Sequence, residues 1–504
     1  MAGAKERYDK LSTGRAQFLQ RARHNALLTV PSLVPLEGHD GKAHLYEPYQ
    51  SLGATGVISM ASRVTMALVP AGRPHLRLGL PPKKLFEMNS DVPPKVNQAL
   101  GKGELLIQSA VERANWRAST LQVMQQLICA GSLTAEFLDD QTIRLHRLDN
   151  FVWRRDFRGL TLECIIREYW DRDALPDGVA TPANTLSGDG KSTDDDVIIY
   201  IVIKYKDSTN TYSVHKETEG GSAVGETSEF TPAKLPFLFL RWAETPGEDY
   251  GRSKVEEVCG DLRSYDSMSK QGLEVGTMSA KNFVMVRPGA TAQGLKNRIS
   301  RINNGDTVVG DPESVELKQF ANQAAASVTA NISQKLEERI SRAFLLLSTQ
   351  QRDAERVTAA EIERDIQELE STLGGTFSAL SLEYLEKLTN LLISDMKDKG
   401  EFPQVGDEDL EATILTGLEA LSRERDVGRG VQAAQIASQF GPEGLGRIKM
   451  DVILDKIFVG LGFPDSVKDE EQYQQEQQQA QQAALAEKAV GPAISAAGAQ
   501  QGGG

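Results

Sequence analysis

The sequence predicts an α+β fold that is predominantly helical, and three features carry the prediction. Apolar residues recur at helical spacing near the start of the chain and again from Gly251 onward. Between Thr134 and Trp242 the pattern changes to that of strands. Two long helical stretches then bracket a short insert with strand character of its own.

Each element follows from its residues. Lys5 to Leu28 is rich in helix formers and stops at Val30-Pro31, because the residue before a proline is pushed out of the helical region. After a Gly/Pro loop from Pro31 to Pro48, Leu52, Gly56, Met60, Val64 and Leu68 fall on one helical face that ends at Val69-Pro70. Gly53, Ala54 and Gly56 on that helix leave room for another backbone to approach. In the strand section, Ile143 to Leu148 alternates and Val197 to Tyr205 is an apolar, β-branched run. Asp171 to Asp196 and Glu217 to Glu229 are rich in Gly, Ser, Thr, Pro and Asp, and read as exposed loops.

From Arg252 to about Ala280, Val255, Val258, Leu262, Tyr265 and Met268 mark one stripe of a rod roughly 40 Å long at 1.5 Å per residue. A second rod, Asn322 to Leu347, has Val328, Ile332, Leu336, Ile340 and Leu347 on one face. The insert between them, Phe283 to Phe320, has strand candidates at Phe283-Val286, Thr307-Val309 and Val315-Leu317. Small residues along the rods (Gly260, Ser264, Gly272, Gly276) and modest stripes predict packing against neighbouring copies. Thr358 and Glu361 form a capping box that opens a third long helix, with Ile362, Ile366, Leu369, Leu373, Phe377, Leu380, Leu388 and Leu391 reaching about Lys399. Paired glycines, Gly374 and Gly375, predict a kink in it. A short strand at Ala412-Leu415 and helices near Val431-Phe440 and Asp451-Leu461 follow, then a Gln/Ala/Gly-rich tail from Gln474.

The bulk numbers narrow the classes. With 504 residues, 40% of them hydrophobic, the chain is long enough for several packed modules. No window approaches the roughly 18 consecutive apolar residues of a membrane span, and Met1 to Lys10 lacks the apolar core of a secretory signal. A product that stays in the cytoplasm that made it is expected. Cys129, Cys164 and Cys259 lie far apart without a C-x-x-C pair and read as small core hydrophobes. The 56 basic and 70 acidic side chains give a net charge of -14, which argues against a surface that grips nucleic acid all over. Net acidity suits a conduit through which a polyanion slides, because each neutralised phosphate adds grip.

No motif for chemistry stands out. His24, His39, His44, His75, His146 and His215 form no H-E-x-x-H or comparable spacing, and read as loop or strand-surface histidines. Gly101-Lys102-Gly103-Glu104 lacks the G-x-x-x-x-G-K-[ST] spacing of a phosphate loop, and Asp194-Asp195-Asp196 lacks the alternating ligands of a calcium loop. No G-x-S-x-G elbow occurs. No catalytic residue, no metal site and no cofactor is expected. Two basic sets remain. Arg287, Lys296, Arg298 and Arg301 lie in the insert with no acidic residue between them, either a positive patch or an ordinary solvated surface. Arg352 and Arg356 lie in the polar hinge Ser348 to Val357. There the competing reading is a plain interhelical loop in which they pair with Asp353 and Glu355.

Specific strings give the order of parts a meaning. Pro48-Tyr-Gln-Ser-Leu-Gly-Ala-Thr-Gly-Val57 through Met66-Ala-Leu-Val-Pro70 resembles the wing segment of head-to-tail connectors from short-tailed, podovirus-type phages. Gly247-Glu-Asp-Tyr-Gly-Arg-Ser253 with Gly260-Asp-Leu-Arg263 is similar to the start of their first stem helix. Arg356-Val-Thr-Ala-Ala-Glu-Ile362 with Glu368-Leu-Glu-Ser-Thr-Leu-Gly-Gly375 is similar to the segment after their tunnel loop, and Thr416-Gly-Leu-Glu-Ala-Leu421 to their return into the wing. The resemblance to phage portal proteins covers Lys5 to Phe463.

It implies a portal fold assembled as a ring: wing at 1–250, with the β-rich section at 134–242, and stem helices at 251–281 and 322–347. The clip is expected at 282–321, the tunnel loop at 348–357, the long kinked wing helix and return strand at 358–420, the crown at 421–470 and a flexible tail at 471–504. It further implies a dodecameric ring in the virion, at the capsid vertex that joins the tail, through which double-stranded DNA is packaged and ejected. Terminase, tail adaptor, capsid and scaffolding proteins are the implied partners, Arg352 and Arg356 the DNA-contacting pair, and the clip patch the docking surface. Portals have no hydrolytic activity of their own. Two other classes compete: a nucleic-acid-processing enzyme with dispersed carboxylates, which nuclease and ATPase assays would reveal, and a non-viral structural scaffold, which would form no rings.

Overall fold

The computed structural model describes residues 3–37, 44–70, 76–79, 94–171, 173, 196–279, 283–286, 315–318, 323–346, 373–402, 413–415 and scattered helical positions between 428 and 458. Helices α1 (Ala4–Leu28) and α2 (Leu52–Leu68) come first, then β1 (Arg77–Gly79), α3 (Pro94–Arg113) and α4 (Trp116–Ala130). The strand section runs β2 (Ser132–Phe137), β3 (Ile143–His146), β4 (Phe151–Arg155), β5 (Thr161–Asp171), β6 (Asp196–Lys206), β7 (Thr211–Thr218), β8 (Ala223–Phe230) and β9 (Phe237–Arg241). After it come α5 (Lys254–Ser279), β10 (Phe283–Val286), β11 (Val315–Lys318) and α6 (Gln323–Ala343). The last described elements are α7 (Gly375–Leu380), a π-helical stretch (Ser381–Glu386), α8 (Lys387–Asp398) and β12 (Thr413–Leu415).

Strands β4 to β8 form an antiparallel five-stranded sheet in sequence order, and β3-β2-β9 form a three-stranded one. Val197 to Ile203 on β6 are buried on both faces, which is why this strand reads as a continuous apolar run rather than an alternation. Helix α1 lies against the larger sheet. Its Arg15 is buried and donates through Nη1 to the carbonyls of Leu148, Asp149 and Phe151 and to the Tyr8 hydroxyl. A second core joins α2, α3, α4, β2 and β9 to the inner ends of α5 and α6 and to α7–α8. The sequence's short strand near Ala412 pairs, as β12, antiparallel to β1.

The structure corrects two readings and adds two helices. Glu217 to Glu229 is not a loop: β7 runs to Thr218 and β8 pairs with it as the edge of the sheet, largely exposed along its length. An edge strand with solvent on both faces has no apolar alternation to betray it. Helices α3 and α4 are absent from the reading of the sequence, although Leu100, Ile107 and Val111 of α3 recur at helical spacing and are buried. Gly101 and Gly103 lower the helix propensity of α3, and α4 is buried along most of its length. The glycine pair that superficially resembles a phosphate loop therefore sits inside a helix, where a Cβ on Gly103 would meet Phe402 and Leu78. The other correction concerns His146, below. The strand candidate Thr307-Val309 and the tail from Gln474 lie outside the described residues.

Candidate functional site

The two long rods α5 and α6 pack antiparallel. Arg339 Nη2 lies 2.8 Å from Asp261 Oδ1, and Ser333 Oγ lies 3.8 Å from Met268 Sδ. At their inner ends Val255, Val258, Leu262, Leu336 and Ile340 are buried in the core, as their stripes require. Tyr265 half-emerges beside Glu337, and burial raises its phenol. Farther out the cover ends: residues 271–277 of α5 are all exposed, and Leu273, Val275, Val328 and Ile332 stand at 60%, 43%, 58% and 41% exposure. Four apolar side chains on the outer halves of both rods are thus between 41% and 60% exposed in one chain.

The inner end of α6 is fixed against α2. Phe344 is fully buried where Gly56 leaves space for its ring, and Arg63 Nη1 donates to the Leu345 carbonyl at 2.8 Å. The close backbone approach expected of these small residues is present at Gly53, whereas at Gly56 a side-chain ring takes the space. A Cβ on Gly53 would lie 2.4 Å from the Leu28 carbonyl oxygen. Arg352 and Arg356 lie outside the described residues, as do Arg287, Lys296, Arg298 and Arg301, so neither basic set is placed.

Where the description resumes, Gly374 has φ +53° and ψ −127° and separates helical Leu373 from α7. That left-handed φ is available to glycine at little cost. The helix is irregular a second time seven residues later, in the π-helical stretch Ser381–Glu386. This stretch is anchored. The buried Tyr384 hydroxyl is 2.9 Å from Thr120 Oγ1, and Lys387 Nζ donates to the Phe237 carbonyl at 3.0 Å. Burial lowers Lys387 to about 8, against the attraction of Glu383, while burial raises the Glu383 carboxyl. No sequence signal pointed to this irregularity.

Among the histidines, His146 departs from expectation. It is buried, with one carboxylate at each ring nitrogen: Nε2 lies 3.1 Å from Glu136 and Nδ1 3.3 Å from Glu168. Cys129 and Cys164 are buried, as core hydrophobes should be, whereas Cys259 is half-buried. Among the described residues no helix is long and apolar enough to cross a membrane.

A family model described as bacteriophage head to tail connecting protein matches residues 2–468. The chain belongs to this connector family. The connector is 31% identical to the portal protein of Escherichia phage T7 over 434 residues, covering 85% of this chain and 80% of that one. It is 31% identical to the portal protein of Enterobacteria phage T3 over 471 residues, covering 92% and 87%. With the portal protein of Enterobacteria phage SP6 it shares 26% over 477 residues, covering 93% and 90%. The family read from the strings at Pro48, Gly247 and Arg356 is therefore the connector's own.

Proposed function

We propose that the connector is the portal of a short-tailed phage, a dodecameric ring at one capsid vertex through which double-stranded DNA is packaged and ejected. The observation that carries the ring is the uncovered apolar set Leu273, Val275, Val328 and Ile332 on two adjacent rods. Repeated around an axis, each rod pair covers that of its neighbour, so association removes from water what folding of one chain leaves exposed. The portal names of the T7, T3 and SP6 relatives support the same reading. In this scheme the rods line the channel, and the insert 282–321 projects as the clip that docks terminase during packaging and the tail adaptor afterwards. Capsid and scaffolding proteins meet the outer wing. The ring is a passive conduit without hydrolytic activity.

Assembly tests the proposal. Purified chain examined by mass measurement and negative-stain imaging should form closed rings, and Val328→Asp with Ile332→Asp should lower the assembled mass while the fold, read by circular dichroism, persists. A wild-type chain that stays monomeric at micromolar concentration overturns it. Two finer assignments belong to the same proposal. Arg352 and Arg356 repeat around the channel as circles of positive charge that hold DNA by weak, salt-dependent phosphate contacts. Arg287, Lys296, Arg298 and Arg301 form the docking patch. Arg352→Ala with Arg356→Ala should leave rings intact but release packaged DNA. Charge reversal at Lys296, Arg298 and Arg301 should weaken adaptor binding to intact rings. Normal genome retention, or unchanged adaptor binding, removes the corresponding assignment.

A further inference from the structure

Strands from two sheets bring three metal-ligating side chains to one buried point. On the three-stranded sheet Glu136 pairs with Arg144, so His146, two residues farther along β3, lies diagonal to Glu136 on the same face. Glu168 comes from β5 of the five-stranded sheet. One ligand atom from each of Glu136, His146 and Glu168 can be chosen so that all three lie within 4.8 Å of one another. All three residues stand on strands, so their backbone positions are fixed by ladders rather than by loops.

Two carboxylates flank one imidazole at this point, one at each ring nitrogen. An imidazole with a single N–H donates to one of them and turns a lone pair on the other. Arg144 supplies positive charge here, with Nη2 3.1 Å from Glu168 Oε1, and its side chain is 46% exposed. Glu168 Oε2 accepts from Trp170 Nε1 at 2.7 Å, while its buried Oε1 receives no hydrogen bond of good geometry. Glu136 has the ring as its one hydrogen-bonding partner among the described residues.

We propose that Glu136, His146 and Glu168 form a divalent-cation site, best suited to zinc, that ties the two sheets together. Zinc takes imidazole nitrogen and carboxylate oxygen in tetrahedral sites at about 2.0–2.2 Å, which sets adjacent ligands roughly 3.4 Å apart. The 3.1 Å between His146 Nε2 and Glu136 Oε2 is close to that spacing as it stands. Glu168, anchored through Oε2 by Trp170, turns Oε1 toward the same edge as Arg144 withdraws, and water completes the shell. A cation bound at Nε2 takes the lone pair of that nitrogen, so a proton there would pass to solvent.

The experiment uses the full-length chain, freed of metal by chelator and desalted, and titrated with zinc chloride by calorimetry. Bound zinc is counted by elemental analysis after a second desalting. One zinc per chain is expected, together with a melting temperature that rises with zinc. Glu136→Gln and His146→Gln should each weaken zinc binding at least tenfold and abolish the rise. His215→Gln, at the separate His215–Glu217 pair, should change neither. If His146→Gln does not fold, Glu136→Gln decides, since it keeps shape and removes only charge. Zinc binding equal in wild type and Glu136→Gln, or no zinc retained by wild type, overturns the site and leaves the cluster as an ion pair between sheets.

Discussion

Gly56→Ala perturbs the contact that fixes the inner end of the second rod. A Cβ at this position would stand 2.6 Å from both Cγ and Cδ2 of Phe344, about an ångström inside ordinary contact, and the Phe344 ring is fully buried. Overpacking of this kind costs about 1–3 kcal/mol, while replacing glycine by alanine within a helix returns about 1 kcal/mol. The net expectation is a destabilisation of about 0–2 kcal/mol, too small to interpret alone. The double-mutant cycle with Phe344→Ala makes it decisive. Phe344→Ala removes the ring atoms that the new methyl meets, so the double variant should be more stable than the sum of the single effects by about 1–2 kcal/mol. Urea unfolding of all four chains at one fixed protein concentration reads this coupling, since any assembly would make the midpoint concentration-dependent. Coupling within about 0.5 kcal/mol of zero, the usual error for independent sites, would refute the packing of Phe344 against α2.

Two further predictions rest on buried groups. Burial lowers Lys387 from 10.5 to about 8, so between those values the unfolded chain binds a proton that the folded chain has released. Stability against urea should therefore rise from pH 8 to 10, by at most about 3 kcal/mol, and Lys387→Met should flatten that rise; an identical pH profile in the variant would show that the amine is not buried. Burial pushes the Cys129 thiol up to about 12 and raises Cys164 and, less completely covered, Cys259. A chromogenic disulfide reagent at pH 8 should label the native chain slowly, with Cys259 first, and all three thiols rapidly in denaturant. Fast labelling of Cys129 in the native chain would contradict its burial.

How far the sequence shows the fold depends on whether an element meets one neighbour or several. Helices α1 and α5 each turn one stripe to the core, and β6 is apolar throughout because it is covered on both faces, so all three are legible. Helix α4 buries Gln126 and Thr120 alongside Val123, Met124 and Leu127, and a helix covered nearly all round shows no period. The edge strand β8 fails for the opposite reason, having too little buried to show one. Helical spacing located the rods, but neither spacing nor family strings reveal the Glu136–His146–Glu168 cluster. Its members come from three strands of two sheets, and only the packing of those sheets brings them together.

The segment carrying Arg352 and Arg356 is constrained by what bounds it. On one side Phe344 and Leu346 are buried; on the other, Phe377 and Leu380 are buried, and all four belong to one core with α2 and α4. The chain therefore leaves and re-enters a single packed body between residues 346 and 373, with left-handed Leu345 at its exit and Gly374 at its return. At these two ends Gly56 and Gly374 resist a side chain for different reasons: one faces a buried ring, the other holds a left-handed backbone.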